Sequence, residues 1–199
     1  DAIIRVKNVS DVKEIISFGA DVANGAVSFD ALIDANILPP KPVEIDPAAL
    51  STIGYTSGTT GHPKGAMQSH RAVITNGAMT SQIQMRGAND CVVSALPCPH
   101  VYANVIMMSM MMFGSKLVLH RAFDVDLAFA DITAHKATIF DGVPAMYMFM
   151  LNSPAIKSAN LSSLTRCYVG GQTMPVATMQ AVEVAFKVPL IELWGMTEI

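Results

Sequence analysis

Short apolar runs alternate with helix-patterned stretches through most of the chain, and this alternation limits the fold more than any other feature. The runs are residues 91–96, Lys116–Leu119, residues 138–140, Arg166–Val169 and residues 189–193. Between them, Val101–Phe113 and residues 124–135, 143–151 and 173–187 read as helices. Strands that are apolar throughout are buried on both faces, and strands separated by helices run parallel. The expectation is an α/β fold: a mostly parallel sheet with helices on both faces. Ligands of such sheets bind outside the carboxyl ends of the strands. The turns after Tyr55, Leu96, Val169 and Leu193 are therefore where function is sought, and they also carry the unusual residues.

Capping residues set the boundaries. Ser28 opens a helix over 28–34, Ser69 one over 70–85, and Asp124 caps the helix that reaches His135. Ala72, Val73, Ala78 and Ile83 are expected to form the apolar side of the second of these. Pro144 starts another helix, and Pro175 is expected in the first turn of the last. Nearer the start, residues 2–6 read as a strand, 12–18 as a short helix and 38–42 as a proline-rich connector. The methionines of Val101–Phe113 are expected to pack a core helix, although methionine also suits a flexible acyl chain.

Composition narrows the class. Of 199 residues 51% are apolar and 15% charged, which suits a core-rich globular chain and not a disordered one. A net charge of −3 without a basic run gives no reason to expect nucleic acid. Val101–Phe113 falls short of the roughly 20 apolar residues that span a bilayer. Cys91, Cys98 and Cys167 form no metal-ligand spacing. A reduced, cytoplasmic setting without a secretory leader is expected; peripheral membrane contact stays open.

The densest motif is Tyr55-Thr56-Ser57-Gly58-Thr59-Thr60-Gly61-His62-Pro63-Lys64-Gly65. Glycines let backbone N–H groups turn towards an anion, hydroxyls add uncharged donors, and Lys64 supplies a mobile positive charge. The string suits a polyphosphate. It is not a Walker loop, because Gly61 is followed by His62-Pro63, and Lys64 by Gly65 with no hydroxyl for a metal.

This string resembles the phosphate-binding signature of the adenylate-forming superfamily: acyl-CoA synthetases, peptide-synthetase adenylation domains and firefly luciferase. Four further segments follow in the order that resemblance requires. Pro97-Cys98-Pro99-His100 is similar to the family's Pro-x-x-His element, with Ala103 and Asn104 where a glycine usually falls. Asp141-Gly142-Val143-Pro144 resembles a Gly-Val-Pro segment whose neighbourhood lines the acyl pocket, and equally suits a plain turn into a helix. Gly170-Gly171-Gln172-Thr173-Met174-Pro175 resembles a Gly-Gly-Ala/Glu-Pro segment that passes along adenine and the acyl group. There Gln172 replaces alanine or glutamate, either as a hydrogen-bonding group or as bulk that shapes the acid pocket. Trp194-Gly195-Met196-Thr197-Glu198 resembles Tyr-Gly-Met/Leu-Thr-Glu, Trp194 being a flat ring able to stack on adenine or ribose.

The resemblance implies the following roles. Thr56, Ser57, Gly58, Thr59, Thr60, Gly61 and Lys64 hold the polyphosphate. His100 stands by the carboxylate. Gly170, Gly171, Gln172, Trp194, Gly195 and Met196 border the nucleotide. Thr197 donates to the α-phosphate, and Glu198 holds Mg²⁺. The implied catalytic set is Lys64, His100, Thr197 and Glu198. The implied activity is ATP-dependent ligation of a carboxylic acid to coenzyme A, with a fatty acid as first choice. An aryl-CoA ligase, a peptide-synthetase adenylation domain and a non-catalytic nucleotide-binding module are the alternatives.

The resemblance also implies that residues 1–199 are part of an AMP-binding (adenylation) domain, a subdomain of the acyl-CoA synthetase-like large domain. An N-terminal subdomain, the ribose-gripping aspartate, the hinge residue and a small lysine-bearing C-terminal domain are expected to lie outside it. By itself this part is expected not to turn over.

Overall fold

The computed structural model describes residues 12–19, 21–22, 24–35, 41–57 and 61–198. The expected strand at 2–6 and residues 38–40 of the connector lie outside them. The chain divides into two units, Asp1–Ile45 and Asp46–Ile199.

In the first unit β1 (Ile16–Ser17) pairs in parallel with β2 (Val27–Ser28). Helix α1 (Phe29–Asp34) follows, its first turn capped by Ser28 Oγ, which accepts from the Ala31 N–H at 3.3 Å. The helix expected over 12–18 does not form. Ile16 pairs with Val27 and the Phe18 ring lies 4.4 Å from that of Phe29, so long-range pairing overrides a weak local preference.

The second unit holds two sheets. β3 (Leu50–Thr56) and β4 (Lys64–Ser69) form an antiparallel hairpin in register from Thr52↔Gln68 to Thr56↔Lys64. The turn after Tyr55 is therefore not at the carboxyl end of a parallel strand, as expected from sequence. Only residues 57–63 separate the two strands, and a parallel crossover needs about a dozen or more.

The other sheet is fully parallel: β5 (Cys91–Ser94), β6 (Lys116–Leu119), β7 (Ile139–Gly142), β8 (Arg166–Val169) and β9 (Leu190–Glu192), in the order β6-β5-β7-β8-β9. Alternate residues enter separate cores. Val93, Phe140, Cys167 and Val169 pack with α4 (Val125–His135), α5 (Pro144–Asn152) and α6 (Val176–Phe186). Val92, Ile139 and Tyr168 pack with Ala103 and Ile106 of α3 (Val101–Phe113) on the opposite face. The expected α/β architecture is present. The order reverses between β5 and β7, a switch point that opens a crevice at their carboxyl ends.

Two helices differ from expectation in what they bury. Helix α2 (His70–Ile83) is capped by Ser69 Oγ, which accepts from the Ala72 N–H at 3.2 Å, and ends before Met85, whose φ is +51°. Its buried residues are Gly77 and Ser81, followed by Gln84 and Arg86, while Ala72 and Ile83 are exposed. In α3 the buried residues are Ala103, Ile106 and Ser109, and the methionines are half-buried or exposed. Met108 and Met112 lie against Gly77 of α2, so they join two helices instead of filling the sheet core. Pro175 stands just before α6, not within its first turn. Among the described residues no helix is long and apolar enough to cross a membrane.

Candidate functional site

Three of the motifs read from sequence meet at one cavity of about 290 Å³ at the carboxyl edge of the parallel sheet. His100 comes from the β5–α3 turn, Gly170 and Gly171 from the end of β8, and Trp194, Gly195 and Met196 from beyond β9. The twin glycines are needed there. A Cβ on Gly170 would stand 3.2 Å from the Tyr102 ring and 3.3 Å from Leu193, and Gly171 holds φ +85°. Gln172, exposed, is not among the residues lining the cavity. Trp194 is 83% exposed, an open aromatic face at the rim.

His100 caps α3. Its Nδ1 accepts from the Tyr102 N–H at 3.2 Å, which places the neutral ring's proton on Nε2. The same ring also lines the cavity, so capping does not remove it from the site.

The two strongest motifs, far apart in sequence, also come together. Gln68 Nε2 on β4 donates to the Thr197 carbonyl at 2.7 Å. A Cβ added to Gly54 on β3 would stand 2.6 Å from Thr197 Cγ2, so a larger residue there requires the Thr197 side chain to move. Lys64 is exposed at the start of β4, paired in register with Thr56, and Ser57 follows β3. Gly61 turns the chain with φ +84°; Gly58, Thr59 and Thr60 lie outside the described residues. Glu198 lines a second cavity of about 160 Å³ beside Met67 and Gln68, and Asn76, Val101 and Val105 border both cavities. Neither lining includes Lys64, Thr56, Ser57 or Thr197.

Beneath the first cavity runs a buried polar network that sequence reasoning missed. Arg86 Nη2 donates to both oxygens of Asp141, at 2.9 and 2.7 Å, and both side chains are fully shielded from solvent. Tyr102 Oη donates to Asp141 Oδ1 at 3.1 Å, and the Arg86 guanidinium lies 5.2 Å from the Tyr168 ring centroid. Burial, then the Asp141 charge, pushes the Tyr102 phenol well above its usual range, so it stays a donor. Tyr168 Oη donates to the Gln84 carbonyl at 2.6 Å. Asp141 had been read only as part of a Gly-Val-Pro turn. The available signal was an aspartate at the end of the apolar run 138–140, and it does not show that Arg86 would meet it.

Residues 2–199 match the AMP-binding enzyme family, and the chain belongs to it. It is similar to the indoleacetate–CoA ligase of Aromatoleum aromaticum, at 32% identity over 92% of this chain and 36% of that protein. Identity to the medium-chain-fatty-acid–CoA ligase of Ectopseudomonas oleovorans is 33%, over 88% of this chain and 33% of the relative. The chain spans about a third of the length of these curated relatives. Among solved structures, apo MbtA of Mycobacterium smegmatis matches with a TM-score of 0.84 at 25% identity, over 100% of this chain and 36% of that one.

Proposed function

We propose that the whole protein is an ATP-dependent acid–coenzyme A ligase acting through an acyl-adenylate. One observation carries the reading: the cavity that gathers His100, Gly170, Gly171 and Trp194 adjoins a second that holds Glu198, and Thr197 is fastened to the hairpin bearing Lys64. Phosphate-holding and acid-holding groups thus belong to one assembly. The relatives' activities support the same reading.

In the first step a carboxylate oxygen attacks the α-phosphorus of ATP, the bond to the bridging oxygen breaks, and pyrophosphate leaves. In the second, the coenzyme A thiol attacks the carbonyl carbon, losing its proton, and AMP leaves. The protein contributes position and charge. Lys64, with the hydroxyls and amides of residues 56–61, takes the departing pyrophosphate. Thr197 donates to the α-phosphate, and His100 presents Nε2–H towards the acid. Gly170, Gly171 and Trp194 border the nucleotide, with Gln172 beyond the cavity wall.

Among the described residues no cluster of three or more carboxylate, imidazole or thiol groups forms a metal site. The single carboxylate of Glu198 suits Mg²⁺ that is carried by the polyphosphate. Bound there, the ion neutralises charge on the phosphates. We place the enzyme in the cytoplasm, where ATP and coenzyme A are both at hand.

For the acid, a fatty acyl chain is the first reading and an aryl group the second. The methionine argument for an alkyl chain is weakened, because of 14 methionines only Met196 lines the larger cavity. ATP–pyrophosphate exchange by the complete gene product, across straight-chain acids of graded length and a set of aryl acids, tests both. Exchange that rises and falls with alkyl length selects the fatty acid, and exchange with aryl acids alone selects the other. A folded protein that binds ATP but exchanges with no acid is a nucleotide-binding module, and the ligase reading fails.

A further inference from the structure

We infer that the acid taken at the larger cavity carries a neutral oxygen acceptor away from its carboxylate, and that the Gln84 side-chain amide is the donor that reads it. The inference rests on the ligase reading above. Gln84 is only 2% exposed, yet it lines the cavity. Its orientation is determined by chemistry. Arg86 Nε lies 2.5 Å from Gln84 Oε1, and a guanidinium only donates, so the amide must turn its oxygen to Arg86. Arg86 cannot yield, because Nη2 is held by both oxygens of Asp141 and the guanidinium lies over the Tyr168 ring.

The amide NH₂ is left over. Among the described residues Nε2 has no acceptor; it keeps some accessible surface and so stays open to the cavity, and an acid that covers it without offering an acceptor leaves a costly unpaired donor. Thr80 and Asn76 continue the line along α2 at helical spacing, and both line the cavity. Among the described residues their side chains make no hydrogen bond. The Tyr102 hydroxyl, in contrast, is already spent on Asp141.

The acceptor must be neutral. No lysine or arginine lines the cavity, whereas Glu192 does, so a second carboxylate on the acid would find like charge and no counter-charge. A ketone, ether or hydroxyl oxygen fits. A plain hydrocarbon tail would leave the Gln84 donor unpaired, and a site that loses such a bond discriminates against the analogue.

The test uses the full-length enzyme and acids matched in shape. These are 4-oxo-, 5-oxo- and 6-oxoheptanoate, each against the methylheptanoate branched at the same carbon, and 4-hydroxybenzoate against 4-methylbenzoate. In ATP–pyrophosphate exchange, at least one oxygenated member is expected to exceed its partner by roughly tenfold in kcat/KM. Gln84→Met and Gln84→Glu should each bring that ratio towards one. Glu still accepts from Arg86 but offers no N–H, so it separates the donor from the packing. Ratios within about twofold for every pair, or a preference that survives in both variants, would overturn the inference and leave the ligase reading standing. Should neither variant fold, the wild-type ratios decide. Exchange with no acid at all would instead bring down the ligase reading, and this inference with it.

Discussion

Gly54 is the point at which the β3–β4 hairpin and the segment before Glu198 touch, and any larger residue there meets the Thr197 side chain. Gly54→Ala puts a methyl 2.6 Å from Thr197 Cγ2, so the Thr197 side chain must turn or shift from the position it holds beside Gln68. The expected result is a loss of about tenfold or more in pyrophosphate exchange, roughly 1.4 kcal/mol or above, with an unchanged circular dichroism spectrum. On the ligase reading, Lys64→Ala and Glu198→Ala each lose one to several orders of magnitude, at roughly 1.4 kcal/mol per tenfold. Near-normal exchange in either would remove that residue from the mechanism. Lys64, His100 and Glu198 stand out as candidates in the sequence because each sits in an ordered string. Gly54, Gln68 and Gln84 were not, since a lone glycine or glutamine gains meaning only from what it faces.

At the scale of elements, α2 and α3 meet at Gly77, where a Cβ would stand 3.0 Å from Met108 Cβ. Gly77→Val must push the helices apart. A destabilisation of about 1–3 kcal/mol is expected, read as a lower urea midpoint with an unchanged slope. Helix starts were well read where a cap marked them: Asp124 Oδ1 accepts from the Leu127 N–H at 2.8 Å, and Ser69 Oγ from the Ala72 N–H at 3.2 Å. The buried face of α2 was misread. Its periodicity marked apolar positions, but the side it turns inward meets a polar network, so Gln84 and Arg86 are buried while Ile83 is exposed. Nor did the short run at 12–18 show its pairing partner, which is Val27.

At the scale of the molecule, two arginine–aspartate pairs among the described residues tie the parallel sheet. Arg86–Asp141 is wholly buried beneath the cavity. Asp141→Ala leaves an unpaired buried guanidinium and should cost about 3–5 kcal/mol in urea denaturation. Arg86→Met combined with Asp141→Leu should restore most of that, since no bare charge remains. Asp90–Arg166 works at the opposite edge, where Asp90 also accepts from Thr138 Oγ1 at 2.7 Å and the Gly87 N–H at 3.0 Å. Burial alone would raise the Asp90 carboxyl, but the hydrogen bonds from Arg166, Thr138 and Gly87 outweigh it and hold it below the ordinary 3.8. A depressed carboxyl contributes stability that is present above its unfolded value and lost as pH falls through its folded one. Asp90→Asn should therefore be less stable than wild type at neutral pH. The gap should close as the pH falls below about 4, in urea midpoints measured against pH.

The alternation of elements, the helix caps and the order of the motifs were determined by sequence alone, because each depends on neighbours within a turn or on period and composition. Tertiary structure decided that β3 and β4 stand apart from the parallel sheet as a hairpin, that Thr197 locks onto Gly54 and Gln68, and that Asp141 turns Arg86 and so Gln84. The Thr197 and Asp141 contacts join residues far apart in the chain and exist only once the fold has brought them together. The hairpin and the Gln84–Arg86 bond are local in sequence but take their setting from those long-range contacts.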